Sequence, residues 1–164
     1  MASKSDFDPE DWKKIASAPI IAAAVISASD DVGDDMDSEE EEIQAFKDSL
    51  VKLRKKYGKT QLVAEVLDDI EDEGTGEFDK LFATIGASAS HESPLEDRIK
   101  AVGEAGEILE RIADKKDAKQ YKKFLIDAAT AVASASKEGF FVFGSSISKK
   151  EEFYLRQLQS ALDM

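Results

Sequence analysis

A chain of 164 residues, 42% hydrophobic and 35% charged, is long enough to bury its own core and has the composition of one folded, soluble domain. Its formal net charge of −13 repels nucleic acid and anionic membrane surfaces, so we expect neither as a partner and favour cations or basic proteins. Cysteine is absent, which excludes disulfides, thiolate metal sites and thiol redox chemistry.

The first helix signals lie in residues 8–29 and predict two consecutive helices. Asp8 suits the N-cap of the first helix and Pro9 its first position, where a backbone N–H would have no intrahelical partner. Pro19 would break a helix interior, so we expect the first helix to end near residue 17 and a second to begin there. Residues 20–29 are small and apolar on nearly all sides, which is typical of a central, closely packed helix.

Two more helices are predicted in the next part of the chain. The first begins after a cap at Asp37 or Ser38 and ends at Gly58, behind a basic last turn that suits the negative end of the helix dipole. The second follows Thr60 and ends in a dense acidic run, residues 68–79, which we interpret as a solvated surface.

The remaining apolar spacing is helical as far as the last residues. We expect helices over about 78–90, 94–112, 118–135 and 148–162. Lys115 and Lys116 precede a predicted turn at Asp117. Gly103 and Gly106 lie within one helical stripe and predict a close helix–helix contact rather than a phosphate loop, because no strand precedes them. The chain is therefore predicted to be all-α, a compact single domain over residues 1–164 with about eight helices.

Two stretches of the chain resemble each other. The Ala-rich segment 22–29 matches residues 129–136, and each is followed by a glycine-containing loop, an apolar residue, a capping residue and acids three residues later. The second loop is longer by roughly four residues. This echo predicts a duplicated helix–loop–helix, with halves at 20–57 and 127–163 related by an approximate twofold axis.

These features together resemble a known family. An Ala-rich helix, a Gly/Asp loop at 30–35, and then Met36, Asp37 and further acids at the next helix start are similar to the TerB-like tellurite-resistance proteins. The opening residues 7–12 also resemble those of bacterial members, and the resemblance covers most of the chain. It implies a compact, duplicated all-α fold, a role in tellurite and other stress responses, no established catalytic activity, and a divalent-cation site in the acidic loops.

The second loop departs from the family pattern. Lys137 and Glu138 are followed by phenylalanines where the family tends to repeat its acids, so a site shared symmetrically by both halves is not expected. These phenylalanines are Phe140, Phe141 and Phe143. They either close the core from the loop or form an apolar contact for a partner or a second copy, and the latter predicts a homodimer through this loop.

The main candidate site is the acidic loop, defined as residues 30–42. Nine of its thirteen residues are acidic and none is basic. Hard cations bind through oxygen ligands, about six to eight for Ca²⁺, whereas Mg²⁺ demands stricter octahedral geometry and holds its waters, so calcium is favoured. The loop is not an EF-hand, because Ala28, Val32 and Met36 would occupy ligand positions. An irregular cation site and a solvated helix N-terminus are both open readings.

Not all carboxylates of the acidic loop can point the same way. The candidate metal ligands are Asp30 and Asp34 first, followed by Asp31, Asp35, Asp37 and Glu41. No catalytic set can be assembled, because cysteine is absent, histidine is single and no carboxylate pair stands out by its spacing. We therefore do not expect an enzyme.

The favoured function is a non-enzymatic TerB-like protein that binds a divalent cation through the acidic loop. The first alternative is a metal-free interaction module whose acidic face docks a basic protein. The second, less favoured, is a metal-dependent hydrolase. The first residues lack the apolar core of a signal peptide, and no apolar run reaches the ~20 residues of a membrane span, so a cytoplasmic location is expected.

Overall fold

The computed structural model describes residues 1–29, 36–72, 92–135 and 149–164, and the side chains of 1–26, 44–71, 95–133 and 149–164. These ranges form a short 3-10 helix, Lys4–Asp6, and six α-helices. The α-helices are α1 Pro9–Ser29, α2 Met36–Tyr57, α3 Gln61–Asp72, α4 Glu92–Ile112, α5 Lys115–Ala135 and α6 Lys149–Ala161. No strand occurs in these ranges, which confirms the all-α class for them. None of the helices there is long and apolar enough to cross a membrane.

α1 contradicts the predicted break at Pro19. The helix runs through this proline without interruption. Pro19 has no N–H, so the carbonyl of Ile15, four residues earlier, loses its usual intrahelical partner, and the hydroxyl of Tyr121 donates to that carbonyl at 2.5 Å instead. Ala18 and Ile20, on either side of the proline, are both buried. Because packing outweighs the proline penalty of roughly 3 kcal/mol, one long helix replaces the two predicted.

Three predicted helix ends are confirmed. Asp8 accepts a 2.9 Å hydrogen bond from the Asp11 N–H, as expected of an N-cap. Gly58 follows the last residue of α2, and a Cβ at this position would collide with the Arg54 carbonyl oxygen, so glycine is required there. α3 begins directly after Thr60.

The start of α5 was predicted wrongly. Asp114 accepts a 2.8 Å hydrogen bond from the Asp117 N–H, so residues 115–117 form the first turn of the helix rather than a loop. The predicted helix over 78–90 lies outside the described residues. One helix spans Pro19 where two were predicted, and six α-helices are present in the described residues. The predicted count of about eight helices is therefore not confirmed.

α1 lies at the centre of the fold. All five other α-helices of the described chain contact it, and the buried apolar side chains form one continuous cluster. Residues 20–26 are at most 9% exposed, which confirms their predicted burial. The largest fully buried side chains are Tyr121, Phe46, Phe124, Ile15, Ile26, Leu62, Leu67, Leu109, Leu125 and Leu158. Removal of this apolar surface from water is the main source of stability.

Two glycines on α4 permit a close contact with the end of the chain. A Cβ at Gly103 would lie 3.0 Å from the carbonyl oxygen of Ala161 and 3.4 Å from its Cβ. A Cβ at Gly106 would lie 3.0 Å from Cδ2 of Leu162. The close approach predicted for these glycines is therefore confirmed, and its partner is the end of α6 with the residue that follows it.

The predicted halves share a helix–connection–helix order, but their superposition stays a prediction. The half at 20–57 ends with α2, and the half at 127–163 contains α6. α2 packs mainly against α5, whereas α6 packs mainly against α1 and α4. Residues 30–35 and 136–148, between the paired helices, lie outside the described ranges.

Candidate functional site

The acidic loop includes the connection between two core helices. α1 ends at Ser29 and α2 begins at Met36, so residues 30–35 join them. These six residues lie outside the described ranges, and they include the predicted ligands Asp30, Asp31, Asp34 and Asp35. Asp37 and Glu41 lie in the first two turns of α2, where the backbone is described and their side chains are not. The coordination set therefore stays a prediction, and the phenylalanine loop at 140–143 also lies outside the described residues.

Backbone electrostatics differ at the two ends of this connection. The last carbonyls of an α-helix lack intrahelical donors and form the negative end of its dipole, and this end of α1 lies at Ser29. Asp37 and Glu41 instead lie at the positive end of α2, where carboxylates are favoured.

Both helices that flank the connection are held in the core. Ile26 near the end of α1 and Phe46 on α2 are fully buried. Further along α2, the Tyr57 hydroxyl donates to Asp127 on α5 at 2.6 Å, and Lys56 donates to the same carboxylate at 2.7 Å. Burial raises the pKa of Tyr57, and its hydrogen bond to Asp127 raises the pKa further, so this phenol remains a donor at neutral pH.

Two acids of the run at residues 68–79 form ion pairs that link α3 to α2. The Arg54 guanidinium donates to Asp68 at 2.9 Å and forms an ion pair with Glu71 at 3.1 Å. Both carboxylates are more than half exposed, in agreement with the predicted solvated surface. Exposed ion pairs of this kind contribute little stability each, about 1 kcal/mol or less.

Asp69 differs from its neighbours and was not predicted to be enclosed. Its side chain is 24% exposed and accepts hydrogen bonds from Trp12 Nε1 at 2.6 Å and from Lys4 Nζ at 2.9 Å. Burial alone would raise the pKa of this carboxyl, but the hydrogen bonds from Trp12 and Lys4 outweigh it and lower the pKa below its usual value. Asp69 therefore fastens the N-terminal segment to α3.

The described acids outside the loop do not form a metal centre. In the part of the chain that the structure describes, no three His, Asp or Glu side chains are grouped to hold one ion. No protein-family model, curated protein or solved structure matches this chain. The TerB-like resemblance therefore rests on the sequence motifs alone, and family membership is a proposal.

A basic cleft that was not predicted from the sequence lies between the end of α4 and the start of α5. We call it the lysine cleft, and its volume is about 600 Å³. Its lining residues are Lys115, Lys119, Lys122, Lys123, Glu110, Asp163, Ala113, Ala118 and Met164. The sequence did carry a signal for it, because residues 115–123 contain five lysines in nine positions of a chain with net charge −13.

Proposed function

We propose that this protein is a non-enzymatic binding protein of the TerB-like, stress-response type, and that its acidic loop binds a divalent cation, calcium in preference to magnesium. The observation that carries the proposal is the position of the loop between the end of α1 and the start of α2, two helices that share one core. Loop carboxylates and helix-end carbonyls together offer the oxygen ligands that calcium prefers.

In this proposal the cation acts through charge. Five aspartates fall within eight residues of the loop: Asp30, Asp31, Asp34, Asp35 and Asp37. Their mutual repulsion, added to the negative end of α1, opposes the folded arrangement of α1 and α2. A divalent ion that binds only the folded state offsets this repulsion and raises the melting temperature.

The test compares thermal unfolding with and without millimolar calcium, supported by calorimetric titration. Wild type should be stabilised, and Asp30→Asn/Asp34→Asn should respond far less. The matched control is Glu104→Gln/Glu107→Gln, which removes two exposed carboxylates from α4 and should respond like wild type. Magnesium should have a smaller effect. Equal shifts in all three proteins would mean that screening of the acidic charge is the whole effect and the site does not exist.

Direct chemistry on tellurite is not part of this function. Reduction of such an oxyanion is expected to use thiols, and the chain has none. Purified protein that consumes tellurite without added thiols would contradict the proposal. If the protein does not bind calcium but binds a basic protein in a salt-sensitive manner, the metal-free interaction module is favoured instead.

A further inference from the structure

We propose that the lysine cleft is a binding site for a small organic phosphate and that it is separate from the acidic loop. Its volume of about 600 Å³ is that of a small-molecule site, since ligand pockets span about 300–1,000 Å³. Three features define the chemistry of the ligand. They are the local charge, one buried lysine held in place at the cleft, and the apolar part of the lining.

The charge of the lysine cleft is opposite in sign to that of the chain. The lining contains four lysines and the acids Glu110 and Asp163, so its side chains carry a formal charge of +2 in a chain of −13. Among the described residues, Lys115, Lys119 and Lys123 form no ion pair with an acid. The neighbouring acids Asp114 and Asp117 accept hydrogen bonds from the N–H groups of Asp117 and Ala2. Acids farther than about 8 Å away act weakly, because salt screens them at physiological ionic strength. A phosphate monoester, close to a dianion at neutral pH, matches the charge of this lining.

Lys122 is the part of the lysine cleft that the fold builds most firmly. This lysine is only 7% exposed, and lysine is almost never buried without a partner. Its ammonium forms an ion pair with Glu110, whose side chain is half exposed. Its stem passes Gly106, where an added Cβ would lie 3.7 Å from Cε of Lys122 and would also crowd Leu162. The ion pair with Glu110 and the burial of its stem hold the ammonium in place before any ligand arrives.

The N-terminus of α5 does not by itself supply the binding. Asp114 already occupies it, since its carboxylate accepts from the Asp117 N–H at 2.8 Å and its carbonyl accepts from the Ala118 N–H at 3.0 Å. Phosphate binding therefore depends on the lysine side chains. Ala113, Ala118 and Met164 add apolar surface to the lining, which suits a ligand with a nonpolar body beside its phosphate.

The test is a titration of the full chain with phenyl phosphate at constant ionic strength, followed through the amide NMR shifts of residues 113–123. Phenol is the control that keeps the ring and lacks the phosphate. Inorganic phosphate is the control that keeps the charge and lacks the ring. We expect saturable binding of phenyl phosphate, weaker binding of inorganic phosphate and none of phenol. Lys119→Gln/Lys123→Gln should lower the affinity for phenyl phosphate by about tenfold. The control Lys52→Gln/Lys55→Gln removes two exposed lysines from α2 and should leave the affinity unchanged.

Glu110→Gln provides a second test that does not depend on the folding of the lysine variants. The substitution removes a carboxylate from the lining and releases the ammonium of Lys122, so phenyl phosphate should bind about threefold more tightly or better. Weaker binding by Glu110→Gln would overturn the proposal. An equal loss in both lysine pairs would also overturn it, because the attraction would then be non-specific, and so would binding of phenol as tight as that of phenyl phosphate.

Discussion

The hydroxyl of Tyr121 on α5 donates a hydrogen bond to the backbone carbonyl of Ile15 on α1, with 2.5 Å between the two oxygens. This carbonyl is the one that Pro19 leaves without a helical donor. Tyr121 is fully buried, and burial raises its pKa well above the usual range, so the phenol keeps its proton and remains a donor. A side chain 106 residues away thus completes the hydrogen bonding of the central helix.

Tyr121→Phe should lower the free energy of unfolding by about 1–3 kcal/mol, because a buried carbonyl loses its partner while the ring is kept. Denaturant unfolding measures this loss. In a Pro19→Ala background, the residue 19 N–H is available to Ile15, so the same Tyr121→Phe change should cost clearly less. Equal losses in the two backgrounds would show that the hydroxyl does not compensate for the proline.

Asp69 should give the protein a defined acid dependence. Its folded-state pKa is lowered, so its stabilising contribution is present above about pH 5 and is lost as the pH falls below about 4, through the folded-state pKa. Asp69→Asn should therefore be less stable than wild type at pH 7, with the difference shrinking towards acid pH. Trp12→Phe removes one hydrogen-bond donor to Asp69, so it should also be less stable than wild type at pH 7, with a difference that shrinks towards acid pH. Circular dichroism across pH 2–7 in urea measures both variants, and a pH-independent difference for Asp69→Asn would contradict the assignment.

The two α4 glycines should tolerate alanine unequally. The Cβ of Gly103→Ala would meet a backbone carbonyl at 3.0 Å, which cannot move without shifting the end of α6, so we expect a net loss of about 1–2 kcal/mol even after the gain in helix propensity. The Cβ of Gly106→Ala would meet the end of a leucine side chain, which can rotate. Its net effect should stay within about 1 kcal/mol of zero. Thermal unfolding of both variants tests the order, and the reverse order would show that α4 and α6 are less closely packed.

Ile26→Asp should prevent folding. Ile26 is fully buried on the central helix, and a carboxylate there would be desolvated in an apolar core. Val51→Asp on α2 is the matched control, because Val51 is 60% exposed and the same change should be tolerated. A soluble Ile26→Asp variant that unfolds cooperatively would show that the end of α1 is not central.

Local rules predicted much of the helical frame. Periodic apolar residues define the all-α class and the burial of residues 20–26, while the cap at Asp8 and the end at Gly58 depend on atoms within a few residues. The continuity of α1 through Pro19 was missed, because the donor that compensates for the proline comes from α5. The enclosure of Asp69 was missed for the same reason, since Trp12 lies 57 residues away along the chain.

The sequence by itself determined the charge and composition of this protein: a net charge of −13, a cluster of acids at 30–42 and a cluster of lysines at 115–123. Only the tertiary structure decided which charges are solvated, paired or gathered around a cavity. Lys119 and Lys123 alone would be ordinary exposed lysines, and they line a cleft because α4 and the residues after α6 pack beside them. Periodicity and capping act over one or two helical turns, whereas the surroundings of a charged side chain depend on contacts between segments far apart in the chain.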